Sequence, residues 1–436
     1  MMNTKANNEA SNAILISGAG IAGPALAYWL RRYGFAVTVV ERAPAPRPGG
    51  QTVDLRGAGR TVVERMGLLD RARAESVDQR GLALVDSAGR TTARMPADSF
   101  GGEGIVSEIE ILRGDLARLL YEATLPDTEY LFDDTITRIE QDIEQDTASG
   151  STGAVTVTFE KAAPRRFALV VGADGPHSVV RTLAFGPERE FVHPIGLYTA
   201  WFTAHGELDL DGWYLMHNAP GGLVASARPG RAPGEIKAGF SFRSPPIAYD
   251  RRDIAAQQDI VARRFARVGW EAPALLRAMR AAPDFLFDSM GQVRLDSWSR
   301  GRVALLGDAG YCATPLTGLG TSLALVGAYV LAGELAGELG AGGDHAAAFR
   351  RYDAVMRPYV DQAQRMPPGG AAGYAPSGRL GIRVRDLSMR SMTRWPMRNL
   401  MAAQFAKAGD IALPEYGAHT SRRISSATNS GSVTGM

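Results

Sequence analysis

Three carboxylates each stand at or just beyond an apolar run that reads as a buried strand. Glu41 ends Ala36–Val–Thr–Val–Val40, Asp174 follows Ala168–Leu–Val–Val–Gly172–Ala173, and Asp308 follows Val303–Ala–Leu–Leu–Gly307. A carboxylate at such a strand end can accept hydroxyl hydrogen bonds from a sugar-like ligand, and a helix start beyond it offers a fixed positive end. The first strand, Ala13–Ile–Leu–Ile–Ser17, runs into Gly18–Ala–Gly20–Ile21–Ala22–Gly23 and then into helical spacing from Pro24 to Leu30. Gly18 allows the tight turn, Gly20 lets a pyrophosphate approach the backbone, and Gly23 lets the helix pack closely on the strand. Glu41 lies 23 residues beyond Gly18, near the spacing of an acid that binds an adenosine ribose. Strand, turn, helix and terminal acid together specify a dinucleotide site. A glutamate there disfavours the 2′-phosphate of NADP, so FAD or NAD is expected.

Other chemistry-bearing residues are less decisive. Arg113 opens a helix whose dipole does not favour a cation; a cofactor phosphate, a local pair with Asp115 or a solvated position would each account for it. Asp174–Gly175 makes a turn and Ser178 suits a helix cap, so a capped helix alone explains that stretch. His177, His193, His205, His217, His345 and His419 are scattered without ligand spacing, and no metal is expected. No Ser/His/Asp constellation is present, and no catalytic side chain is assigned.

The elements that must position these residues fill a chain of 436 residues, enough for two or three domains. Hydrophobic residues make up 45% and charged ones 22%, an ordinary globular composition, and the net charge of +2 gives no case for a nucleic-acid partner. Cys312 is the only cysteine, so no internal disulfide forms and a reducing, cytoplasmic setting is expected. Residues 1–12 are polar and are expected to be disordered rather than a signal peptide. The uncharged run Thr321–Gly333 is too short for a membrane span and reads as a buried helix.

From Phe191 to Ser244 apolar and aromatic residues alternate with polar ones between glycine-rich turns, which predicts an antiparallel sheet inserted between two parts of the dinucleotide domain. Trp201, Phe202, Trp213, Tyr214 and Phe240 lie in it as core or as the wall of a pocket for a flat substrate. The expected organisation is a dinucleotide domain over 13–187, with an excursion into the second domain near 80–105, the sheet domain over 188–290, and a return over 291–365. A linker and C-terminal helix over 366–416 and a disordered tail over 417–436 complete it. Ile382 to Ala408 reads as helical with a break at Pro396, and its arginine-rich side reads as a solvated face or as one that meets a membrane surface.

Taken together, the three strand-end motifs resemble those of the class A flavoprotein monooxygenases, the group typified by p-hydroxybenzoate hydroxylase. They are Gly18–Gly23 with Glu41, Gly172–Ala–Asp174–Gly175–Pro–His–Ser178–Val–Val–Arg181, and Gly307–Asp308–Ala–Gly310 with Pro315–Leu–Thr–Gly318–Leu–Gly320. Gly49–Gly50–Gln51–Thr–Val–Asp54–Leu–Arg56 and Leu112–Arg113–Gly114–Asp115–Leu116 are most similar to the tetracycline-inactivating branch. The resemblance implies an α/β fold: a Rossmann-type FAD-binding domain, an inserted mostly antiparallel substrate domain, and a C-terminal helix. It implies FAD, with NADPH or NADH bound transiently as reductant. Glu41 would hold the adenosine ribose, Arg42 would lie near the adenine, and Arg113 near the middle of the cofactor. Asp308 would bind the ribitol, and Pro315, Gly318, Leu319, Gly320 and Thr321 would face the isoalloxazine. Asp174 and Arg181 match the motif tied to both cofactors.

The implied reaction is hydroxylation of an electron-rich aromatic or polycyclic polyketide-type compound by O2, through a flavin C4a-hydroperoxide, with antibiotic modification as one outcome. Substrate contacts are expected at Ala200, Trp213, Lys237 and Phe240. Ala200 and Lys237 fall where that branch has a glutamine and a histidine, so a ring compound other than tetracycline is expected. Tyr311, Ser322 and Gly327 depart from the group's usual histidine, asparagine and aspartate. The competing reading is an FAD-dependent reductase or dehydrogenase acting on a lipid or isoprenoid; a binding protein that keeps FAD structurally is a third. A monomer or weak dimer is expected.

Overall fold

The computed structural model describes residues 12–102, 107–142, 153–392, 399 and 411–417. The apolar strands read above assemble into a six-stranded sheet. Its order is Ser299–Arg300, Val303–Leu305, Leu169–Gly172, Ala13–Ser17, Ala36–Glu41, Glu129–Phe132. All neighbours are parallel except the first pair. Strands covered on both faces have no solvent side, which is why they read as continuous apolar runs rather than alternating ones. Helix Ala22–Arg32 covers one face, and the helix Gly320–Gly340 packs on it and on Gly57–Arg65 and His345–Ala363. Gly320–Gly340 is long and apolar enough to cross a membrane by length and composition. Most of it is buried by those helices, so it is a core element.

A seven-stranded sheet stands beside this domain, in the order Leu286–Val293, Val192–His205, Glu235–Arg243, Leu223–Pro229, Trp213–Ala219, Gly81–Val85, Thr91–Pro96. It is antiparallel except between Trp213–Ala219 and Gly81–Val85. Leu286–Val293 runs past the boundary expected at residue 290, so the chain leaves this sheet later than the sequence suggests. Alternation gives the sheet two faces. Tyr198, Ala200, Phe202, Ala238, Phe240 and Phe242 pack under the helices Ile254–Phe265 and Ala272–Ala281; the other face turns toward the first domain, where Arg228 meets Glu110.

The C-terminal helix spans Arg379–Met392 and lies on Thr91–Pro96 and Trp213–Ala219. Its expected continuation to Ala408 and the break at Pro396 lie outside the described residues, as do nearly all of the two ends expected to be disordered. The chain then returns to the first domain, where Tyr416 donates to Glu334 at 2.7 Å and packs its ring on Gly333.

Two of the departures from the group pattern form one contact. A Cβ on Gly327 would stand 2.1 Å from the Tyr311 hydroxyl, which instead meets the Tyr352 hydroxyl at 2.8 Å. Tyr311 thus fills the space that a side chain at 327 would take. Gly327→Ala is expected to cost about 1–3 kcal/mol, the usual range for overpacking. Gly327→Ala combined with Tyr311→Phe should cost less than the two singles added. Denaturant unfolding of all four proteins checks this, and strict additivity would separate the two sites.

A second contact joins the domains. His177 lies in the turn after Asp174; its Nδ1 meets Glu188 at 3.1 Å and its Nε2 meets Asp288 of the sheet at 2.7 Å. Burial alone would lower its pKa, but hydrogen bonds to Asp288 and Glu188 raise it from 6.5 to about 9. The folded protein therefore holds this proton more tightly than the unfolded chain. The resulting stability is complete below pH 6.5 and disappears as pH rises through 9. It is on the order of 3 kcal/mol. We expect wild type to lose more stability between these pH values than His177→Gln, measured by urea unfolding; parallel pH curves would deny the clamp.

Candidate cofactor and substrate site

The dinucleotide turn is set by close approach of backbones. Gly18 has φ +106°, and a Cβ there would stand 2.5 Å from the Ala173 carbonyl oxygen; one on Gly23 would stand 1.9 Å from the Gly18 oxygen. Only glycine fits either position. The turn leaves the first amides of helix Ala22–Arg32 without intrahelical carbonyl partners, and Ile21, its N-cap, contributes no side-chain hydrogen bond. Glu41 accepts the Ala19 amide on Oε2 and the Ala43 amide on Oε1, both at 2.8 Å. Its carboxylate is thereby aimed across the turn with lone pairs to spare. Arg42 is exposed beside it.

Arg113 reaches the same place from another element. Its amide donates to Gln51 at 2.9 Å and the Gly114 amide to Gly49 at 2.7 Å, so the loop before Gln51 pins the helix start. The guanidinium stands 3.3 Å from the Cβ position of Gly20. Asp308 completes the cluster, 3.8 Å from the Cβ position of Gly320. Burial pushes its carboxyl up, while Arg113 and the Cys312 thiol hold it down. Pro315–Thr317 is a short helical turn and Gly318 has φ +65°, which brings Leu319 to the start of Gly320–Gly340 with Thr321 beside it. Thr314, 3% exposed at φ +77°, has no partner for its buried Oγ1 among the described residues.

This donor set fits FAD. Glu41, which also meets the exposed Arg47 at 3.4 Å, would keep an acceptor position for a ribose, the helix amides and Arg113 would meet a pyrophosphate, and Asp308 would accept from ribitol hydroxyls.

Two members of the second motif sit differently from expectation. Arg181 is wholly buried, and its guanidinium donates to the carbonyl oxygens of Ala309 at 2.9 Å and Pro176 at 2.6 Å. It cannot touch a cofactor; it ties the Asp174 turn to the Asp308 turn. Asp174 accepts the Val179 amide at 2.8 Å and the Ser178 hydroxyl at 2.5 Å, capping its helix, and abuts Gly18. Ser322, in place of the group's asparagine, bonds the Arg56 carbonyl at 3.2 Å.

The substrate side needs more correction. Ala200 and Phe240 are both 0% exposed and belong to the face under the helices, with the Phe240 ring 4.6 Å from Phe265. Trp213 alternates onto the same side as Leu215 and lies under Arg94 at 5.0 Å. None of the three faces the cofactor loop, Pro315–Gly320. Lys237 is on the inner face, but it is 3% exposed and bonded to Glu235 at 2.5 Å and to Thr203 at 2.9 Å.

The inner face is instead made by their neighbours. Trp201, Tyr214 and Tyr374, and Leu316 of the cofactor loop, each pack partly buried against one apolar cluster that includes Leu197, Met216 and Met290. Arg228 lies over the Tyr214 ring at 4.1 Å and pairs with Glu110 at 3.1 Å, while Asp54 pairs with Arg56 at 2.7 Å. Asp54 Oδ2 is 3.3 Å from the Cβ position of Gly318, which puts this network against the cofactor loop. Burial raises the Glu110 carboxyl to about 7, opposed by Arg228 and assisted by Asp54. The sequence carried a signal for these residues: charged side chains inside short, otherwise apolar strands.

The FAD binding domain model matches residues 11–366. A flavin-dependent monooxygenase of Legionella longbeachae is 39% identical over 405 residues, 92% of this chain and 98% of its own. An uncharacterized protein of Mycobacterium tuberculosis is 46% identical over 364 residues, 83% of this chain and 94% of its own. The solved structure of the tetracycline destructase Tet(51) superposes with a TM-score of 0.78 at 32% identity, covering 93% of this chain and all of that one.

Asp308→Ala should weaken FAD binding ten-fold or more, since a charged hydrogen bond contributes roughly 1.5–3 kcal/mol. Flavin fluorescence titration of the refolded apoprotein reads this. An unchanged dissociation constant in a folded variant would remove Asp308 from the site.

Proposed function

This chain belongs to the FAD binding domain family and is a flavoprotein monooxygenase, and from that premise we propose that it uses NADPH or NADH and O2 to place one oxygen atom on an electron-rich polycyclic phenol or enol. The observation that carries this reading is that Trp201, Tyr214 and Tyr374 of the inner face and Leu316 of the cofactor loop are all partly buried against one apolar cluster. A flat apolar ring system suits such a wall, and a few polar groups suffice to orient it. When bound, FAD supplies the activation of O2; the protein's part is orientation, exclusion of water and electrostatics. Glu41, Arg113 and Asp308 would hold the cofactor. The start of Gly320–Gly340 would place a helix-dipole positive end at the flavin, favouring its reduced, anionic form. Arg228, over the Tyr214 ring on the inner face, would orient a substrate oxygen, while Ser241 and Asn218 are buried and bonded to Thr199 and Arg385.

Tetracyclines fall within the proposed class. Ala200 faces the helices, so its lack of a polar group has no bearing on whether they bind; Lys237 remains as a difference on the inner face. The test is turnover on a panel of polycyclic phenols and enols that includes tetracycline, with isotopically labelled O2. We expect a product carrying one labelled atom, in near-equal ratio to NAD(P)H consumed, with at least one panel member. NAD(P)H oxidation that yields only hydrogen peroxide with all of them, or a reduced unlabelled product, would overturn the reading.

A further inference from the structure

The helix Arg379–Met392 has two unlike sides. Its inner side is anchored: Met389 is buried, Arg385 donates to Asn218 at 2.5 Å, and Asp386 accepts the Thr92 hydroxyl at 2.7 Å. At about 100° per residue, Leu380, Val384 and Leu387 fall on the opposite side, within about 60° of one another. They are 75%, 59% and 66% exposed, among the most exposed large apolar residues of the described chain. Arg379 and Arg383 are exposed along one flank of that ridge.

Arg379 and Arg383 are the charged residues beside the ridge, since Asp386 is held on the inner side by the Thr92 hydroxyl. From Arg379 to Lys407 the sequence has six arginines and Lys407 against Asp386 alone, in a chain whose net charge is only +2. That excess decides between occupants. A second copy would bring the same cations against these, and so would the chain's own stretch from Arg394 to Lys407. Like charges meeting across a desolvated contact are unfavourable. An anionic surface with an apolar layer beneath it satisfies both features, because aliphatic side chains enter the layer while the arginines stay at the headgroups.

We propose that the outer ridge of this helix, Leu380, Val384 and Leu387 with Arg379 and Arg383, docks the protein reversibly on an anionic lipid bilayer. The helix lies along the surface and does not span it. Each lipid-facing arginine adds to the attraction, and salt weakens it.

The test is cosedimentation of the full-length holoenzyme with vesicles of phosphatidylglycerol and phosphatidylcholine, or of phosphatidylcholine alone. Binding is expected only to the anionic vesicles, falling at least five-fold between 50 and 300 mM salt, on the order set by screening. Leu380→Ser with Leu387→Ser should reduce it ten-fold or more while flavin content and unfolding midpoint stay unchanged. A probe attached at Leu387→Cys, with the buried Cys312 unreactive, should shift to shorter emission wavelength on anionic vesicles. Absence of binding, equal binding to neutral vesicles, or a dimer in light scattering that the double serine variant dissociates would each overturn the proposal.

Discussion

Two backbones touch where side chains would forbid it, and the rest of the cofactor side follows from that contact. Gly18 lies against the Ala173 carbonyl and Gly23 against Gly18, so the first and second strand ends are drawn together at the turn. The third is drawn in by a buried cation. Arg181 has no solvent access, and desolvation lowers its pKa, which is the cost of leaving water. Carbonyl oxygens of Ala309 and Pro176 offset that cost by accepting its protons. A guanidinium whose planar fork meets acceptors from two turns fixes their separation. This geometry carries Asp308 toward the turn that Glu41 reaches through the Ala19 amide and that Arg113 reaches from the helix start pinned on Gln51 and Gly49.

This division explains which parts of the site were legible in the sequence. The strand-end motifs are local: a glycine that must accept positive φ, or an acid one residue after a buried strand, carries its reason within a few neighbours. The inserted sheet is different. Alternation separates Trp201 from Phe202 and Tyr214 from Trp213 without saying which set faces the cofactor. That choice depends on the helices Ile254–Phe265 and Ala272–Ala281, which cover the Phe240 face from later in the chain. Phe240 and its cross-strand neighbour Ala200, the latter expected at the site from the family's glutamine position, therefore both lie on the helix-covered face, while Lys237 lies on the inner one. Arg181 departs from expectation for a related reason: a motif shows that a residue is required, not whether it meets a ligand or holds the loop that does. Tyr311 and Gly327 were legible as separate departures, but their compensation is a contact across two elements that no local pattern encodes.

The substrate side rests on a different kind of interaction, and its weakness is informative. Where the cofactor turn is closed by steric contact, the approach of the sheet to the cofactor loop is closed by charge. Arg228 of the sheet reaches Glu110 and Thr52 of the two-stranded ribbon Thr52–Asp54 and Glu110–Leu112, and Arg56 reaches Asp54 within the first domain. With both carboxylates ionised the four groups balance. Burial and the neighbouring Asp54 hold the Glu110 proton to about pH 7, so the balance is poised rather than fixed. Below that pH the cluster gains one positive charge beside Gly318; above it the cluster is neutral. Buried pairs of this kind gain little net stability over apolar contacts, so a clamp built for strength alone would not use them. What they do provide is a potential that changes with protonation within reach of the cofactor loop. An anionic ring oxygen brought to the inner face would favour the protonated state of Glu110, and by linkage a protonated Glu110 would favour the anionic ligand. A ring bound there would then have its charge coupled, through the network that aligns the two domains, to the proton on Glu110.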